Sequence, residues 1–141
     1  YGRSMTDAGW RRVSGVRRVT AGVALGAVIA AGLGVHFLLP DTAATDIAGD
    51  ALYAAAVYAF IILLIPRRHP LLVGAIALAW CVGIELFQLT GVPLAAGAAF
   101  PPAMLVLGTV FDPGDLLVYG ATIVIVTATD AVIHRVRDHR P

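Results

Sequence analysis

The stretch from Ile47 to Leu89, IAGDALYAAAVYAFIILLIPRRHPLLVGAIALAWCVGIELFQL, decides what kind of protein this is. It consists of two apolar runs, Ile47–Ile65 and Leu71–Leu89, parted by the five residues PRRHP. A helix that crosses a bilayer needs about 20 mostly apolar residues, and each run meets that length. Arg67 and Arg68 cannot rest in hydrocarbon, so the stretch predicts two membrane helices joined by a basic turn.

Two further runs lie on either side. Val19–Leu39 is closed by Pro40, and Leu116–Ile133 is entered through FDPGD. Over 141 residues, 59% are hydrophobic and 13% charged, with a mean hydropathy of +0.85. That is too apolar for a soluble domain and predicts an integral membrane protein. The first run follows RRVSGVRRV, which invites a signal-peptide interpretation. It is longer than a signal core and lacks a small-x-small cleavage site after it, so it is expected to stay as a span. The organisation expected is a basic segment over 1–18, one four-helix membrane domain over 19–133 and a basic tail over 134–141. Tyr1 to Ser4, before Met5, are expected to be foreign to the natural start of the chain.

All ten positive residues are arginine, and they fall in three patches. Arg3, Arg11, Arg12, Arg17 and Arg18 precede the first run; Arg67 and Arg68 separate the second and third; Arg135, Arg137 and Arg140 follow the fourth. Short cytoplasmic segments carry the excess of positive residues. Four spans put all three patches on one side, with both termini cytoplasmic. The fold class is therefore an all-α integral membrane protein, multi-pass in a bacterial inner membrane. The terminal arginines are accounted for by orientation, so no nucleic-acid partner is expected.

Thr90 to Gly114 is too apolar for a solvated loop. Pro101 and Pro102 suit a helix start, and AMLVLGTVF is long enough for two or three turns. This predicts a short re-entrant or interfacial helix between the third and fourth spans, packed on the outer side. Asp112 in DPGD is expected to cap the fourth span, with Pro113 at its first position.

With orientation set, depth follows from the ~1.5 Å rise per residue. Asp50 and Tyr53, Glu85 and Gln88, Asp115 and Tyr119, and His36 all come to one level in the outer leaflet. Each acid stands three or four residues from a hydrogen-bonding neighbour on the same helical face. The outer half also carries Asp41, Asp46 and Asp112, yet no arginine or lysine, and only His36 offers a cation. Acids in this layer must be protonated, held by tyrosine and amide donors, or neutralised by something bound. The inner halves of the second and third spans offer only Tyr58 and Trp80. Cys81 is alone, so neither an intrachain disulfide nor a cysteine-rich metal site is available.

GDALYAAAVY at 49–58, IELFQL at 84–89 and DLLVYG at 115–120 resemble a small bacterial membrane family of unknown function, numbered 2809 among such families. That family is distantly similar to the VanZ-like family, whose founding member is associated with teicoplanin resistance. The resemblance spans about residues 20 to 133 and implies weight on Asp50, Tyr53, Glu85, Gln88 and Asp115. The VanZ-like pattern usually has an arginine between the glutamate motif and the later aspartate, and an asparagine four residues after that aspartate. Here no arginine lies between Leu89 and His134, and Tyr119 stands at the asparagine position, which weighs against an anionic ligand.

Several functions stay open at this stage. The first is an outward-facing acidic pocket, formed by Glu85, Gln88, Asp50, Tyr53, Asp115, Tyr119 and His36, that binds an amphiphile with a cationic or hydroxyl-rich head. Proton- or cation-coupled transport is a second, and a structural subunit of a larger complex a third. An intramembrane enzyme with Glu85 or Asp115 as general base is a fourth, but no H-E-x-x-H spacing or nucleophile elbow recommends it. No cofactor or metal is expected. Partners are membrane lipids, an amphiphilic small molecule, and either a second copy or another membrane subunit.

Overall fold

The computed structural model describes residues 7–138, with side chains over 14–136. Arg3, His139 and Arg140 lie outside the described residues, as do the side chains of Arg11, Arg12 and Arg137. The helices are α1 (Asp7–Leu38), α2 (Ala43–Leu64), α3 (Pro70–Gln88), α4 (Val92–Ala99), α5 (Met104–Leu107) and α6 (Pro113–Asp138). There is no strand among the described residues. Four segments are long and apolar enough to cross a membrane: Ser14–Leu38, Ala43–Leu64, Pro70–Gln88 and Pro113–Val136.

Local chemistry explains the helix starts. Thr42 and Thr45 cap α2 reciprocally: Thr42 Oγ1 accepts from the Thr45 N–H at 3.3 Å, and Thr45 Oγ1 accepts from the Thr42 N–H at 2.8 Å. That cap moves the start to Ala43, ahead of the expected Ile47. His69 Nδ1 accepts from the Leu71 N–H at 3.3 Å, so the histidine of PRRHP caps α3 while Pro70 occupies its first turn. Asp112 Oδ1 accepts from the Gly114 N–H at 2.7 Å and α6 opens on Pro113, as expected for DPGD.

Between α3 and α6 the chain differs from expectation. Instead of one helix from Pro101, there are α4, a 3-10 turn over Pro101–Ala103, and the single turn of α5. Gly91, at φ 73°, reverses the chain directly after α3, and Pro93 stands in the first turn of a new helix. Gly97 faces the Met104 side chain, and a Cβ there would collide with it, so α4 and α5 fold back on each other. Gly108, at φ 63° and ψ −160°, ends α5 in a conformation open essentially to glycine alone.

α2, α3 and α6 pack mutually as a triangle, and α1 lies along α2. Only 6% of the α1 span is buried, against 39% of the α3 span, so α1 is the peripheral member. The core is built from small residues: Ala54, Ala77 and Cys81 are fully buried, and Gly74 abuts Thr127. Small side chains let helix backbones approach where no water drives association. Large apolar groups point outward instead, Leu38 at 82% and Leu117 at 77% exposure. An apolar surface this continuous belongs against lipid.

One end of the bundle holds a polar lock that spacing along the chain does not display. Arg17 is only 6% exposed. Its guanidinium pairs with Asp130 of α6 and donates to the carbonyls of Pro66 at 2.8 Å and Arg68 at 2.6 Å. Tyr58 of α2 donates to the same Asp130 carboxylate at 2.9 Å. This end of the bundle is thus richer in polar groups than Tyr58 and Trp80 suggested, because α6 contributes Thr127 and Asp130. Trp80 turns the other way, donating to the Tyr53 hydroxyl at 3.1 Å.

Candidate functional site

At the opposite end from Arg17, the upper parts of α1, α2 and α6 enclose, with the α5 segment, an open cavity of about 640 Å³. Asp50, Tyr53, Gln88, Asp115, Tyr119 and His36 all line it. Its walls are otherwise mainly apolar, with Val28, Ile29 and Leu33 from α1 and Leu105 and Val106 from α5. No arginine or lysine is among the lining residues.

α2 and α6 set the centre of the site. Asp50 and Asp115 bring their carboxyl groups together across the two helices. The Tyr119 hydroxyl, one turn along α6 from Asp115, donates to Asp50 Oδ1 at 3.5 Å. Tyr119 is 4% exposed, and its ring stands 6.0 Å from that of Tyr53. Tyr53 donates to the Val106 carbonyl at 2.9 Å, which holds α5 over the cavity.

Glu85 occupies a different place from its companions. It is fully buried and lies behind the cavity wall, where Oε2 accepts from the Asp112 N–H at 3.3 Å. It therefore fixes the entry of α6 against the end of α3, while its second oxygen has no hydrogen-bond partner. Replacement by glutamine keeps an acceptor for that amide, whereas leucine removes it. Thermal unfolding in detergent is expected to leave Glu85→Gln near the parent. Glu85→Leu should lose about 1 kcal/mol, the usual net worth of one such bond.

Gln88, one turn beyond Glu85, donates through Nε2 to the Leu107 carbonyl at 3.0 Å and is 7% exposed. Its Oε1 is buried without a partner. His36 is exposed at the rim, its ring edge-on to Phe37 at 4.7 Å. Asp41 and Asp46 also reach the rim but remain exposed.

Below this acidic layer comes an apolar one: Ala54 of α2, Ala77 and Cys81 of α3, and Ile123 of α6, none more than 4% exposed. Beneath it lie Tyr58, Thr127, Asp130 and Arg17. Along α6, Asp115 and Asp130 are separated by about 22 Å at 1.5 Å per residue. Sequence reasoning passed over Asp130 because it sits near the arginine-rich tail. A signal was present: Asp115, Tyr119, Ile123, Thr127 and Asp130 recur at helical spacing on one face.

Among the described residues, no three histidine, cysteine, aspartate or glutamate side chains converge closely enough to form a metal site. Chemically, the cavity offers carboxyl groups and other hydrogen-bond acceptors at one level, with mainly apolar walls around them.

No match is found among curated proteins or among solved structures. A family model does match, over residues 39–123, a segment that contains the acidic layer and leaves out Arg17 and Asp130. Since this is more than half of the chain, the protein belongs to the family described as "Protein of unknown function (DUF2809)".

Proposed function

We propose that the cavity receives an amphiphile with a cationic or hydroxyl-rich head, and that the protein is a VanZ-like component of the bacterial cell envelope. In this reading the basic end, with Arg17, Arg18, Arg67 and Arg68, faces the cytoplasm together with both termini, and the acidic layer lies in the outer leaflet. One observation carries the proposal: the Asp50 and Asp115 carboxyls meet in a cavity that has mainly apolar walls and no arginine or lysine in its lining, with His36 exposed at the rim. Carboxyls gathered in a medium of low dielectric need a proton or an external cation. The apolar walls of α1 and α5 are suited to a hydrocarbon tail.

The test is titration of the purified chain in nanodiscs with dodecyltrimethylammonium and with dodecyl sulfate, each against empty nanodiscs. Binding of the cation and not of the anion is expected. The Asp50→Asn, Asp115→Asn double variant should bind the cation about tenfold more weakly, equivalent to about 1.4 kcal/mol. Equal binding of both amphiphiles by the parent would refute the reading.

A second reading, proton- or cation-coupled exchange, is favoured by the inner group of Tyr58, Thr127 and Asp130, which stands beneath only one apolar layer. Ile123 is the largest side chain of that layer. Proteoliposome proton flux that is unaltered by Asp115→Asn would remove this reading.

A further inference from the structure

The acceptors of the outer cavity have a specific imbalance. Asp50 and Asp115 present carboxyl oxygens, and the Tyr119 hydroxyl beside them is directed at Asp50. The Tyr53 hydroxyl donates away, to Val106. Gln88 spends its amide nitrogen on the Leu107 carbonyl, so its oxygen is the group left for the cavity it lines, buried and unpartnered. Behind it, Glu85 keeps a second unpartnered oxygen at 0% exposure. A buried acceptor without a donor is costly, so Gln88 Oε1, on the side chain that lines the cavity, calls for an N–H or O–H group from outside the chain.

The charge distribution narrows the kind of donor. No three ligating side chains converge on a point among the described residues. The carboxyl groups are instead spread out, Asp50 and Asp115 in the cavity and Glu85 buried behind its wall. A hydroxyl brings donors without charge, and a quaternary ammonium brings charge without donors. A primary ammonium brings both, as one positive charge with three N–H groups. Quaternary ammonium groups are normally held by enclosing aromatic faces. Here only Tyr53 and Tyr119 line the acidic layer, with Tyr119 almost wholly buried.

We infer that the cavity recognises a primary ammonium head, which donates to Asp50, Asp115 and Gln88 Oε1 while its hydrocarbon lies against Val28, Ile29 and Leu33. This rests on the amphiphile-binding reading above and specifies the head group. The first two carboxyls supply attraction for any cation. Gln88 supplies the discrimination, because its oxygen is satisfied only by a ligand that has a proton to give. Hydrocarbon length is read by the α1 wall and is common to all ligands of one chain length.

The experiment compares dodecylammonium, dodecyltrimethylammonium and dodecanol on the full chain in phosphatidylcholine nanodiscs, by isothermal titration against empty nanodiscs. Dodecylammonium is expected to bind about tenfold more tightly than its trimethyl analogue, and dodecanol more weakly than either. In Gln88→Met, which preserves side-chain length, the preference between the two cations should fall to about one. Equal affinity for the two cations in the parent overturns the inference and leaves the amphiphile reading standing. Neither cation exceeding dodecanol overturns the inference and, with it, the cationic form of the amphiphile reading. A preference retained in Gln88→Met also overturns the inference, since the discrimination would then lie elsewhere. The parent comparison is decisive even if the variant does not fold.

Discussion

Asp130→Ala is expected to destabilise the bundle by about 3–5 kcal/mol, the range for removing one member of a buried ion pair. The alanine would leave the Arg17 guanidinium, 6% exposed, without its carboxylate and would also strand the Tyr58 hydroxyl. Arg17→Met should cost less, because the carboxylate of Asp130 retains the Tyr58 donor and is partly exposed at 16%. The double variant Arg17→Met, Asp130→Leu should recover most but not all of the loss. Replacing both charges is often nearly neutral, but the Pro66 and Arg68 carbonyls also lose the donors that Arg17 gives them. Unfolding in mixed micelles of increasing denaturing detergent measures all three. If Asp130→Ala unfolds with the parent, the lock contributes nothing to stability.

Gly74→Ala is expected to be the next most damaging change. A Cβ at Gly74 would overlap the Thr127 hydroxyl and would also approach its Cγ2 at 3.3 Å and its Cβ at 3.4 Å. Threonine is short and β-branched, so it has no flexible end to move aside. α3 and α6 would have to separate along the seam where Val73 and Ala77 are fully buried. Overpacking of this kind costs about 1–3 kcal/mol. The compensating variant Gly74→Ala, Thr127→Ala removes the obstructing atoms and should return to within about 1 kcal/mol of the parent. If the single variant unfolds with the parent, the close approach is relieved without separating the helices. If the double variant is no better than the single, Thr127 is not the obstacle.

Much of the bundle was legible because span length and proline punctuation are one-dimensional signals. DPGD announced its own cap and helix start, and helical rise alone brought the three acid pairs to one level of the bundle. What was not legible depended on packing between segments distant in the chain. Arg17 looked like one more orienting charge, and only the crossing of α1, α2 and α6 brings it to Asp130. Glu85 looked like a wall of the cavity, but the way Asp112 enters α6 draws its carboxylate behind that wall. The α4–α5 hairpin was hidden for another reason. Its first half, VPLAAGAA, has the composition of any small apolar stretch, and its shape is set by positive φ at Gly91 and Gly108 and by Met104 lying on Gly97.

α1 rests along a single neighbour for most of its length and is cross-tied at its base by Arg17. Its upper portion is the wall of the cavity most easily displaced, because the α2–α3–α6 triangle does not depend on it. If the cavity takes an amphiphile as proposed, a route between α1 and α6 would run sideways through the hydrocarbon of one leaflet. Supply along such a route scales with the occupant's mole fraction in the bilayer rather than with its aqueous concentration. Two amphiphiles with identical heads would differ in apparent potency by the ratio of their membrane partition coefficients.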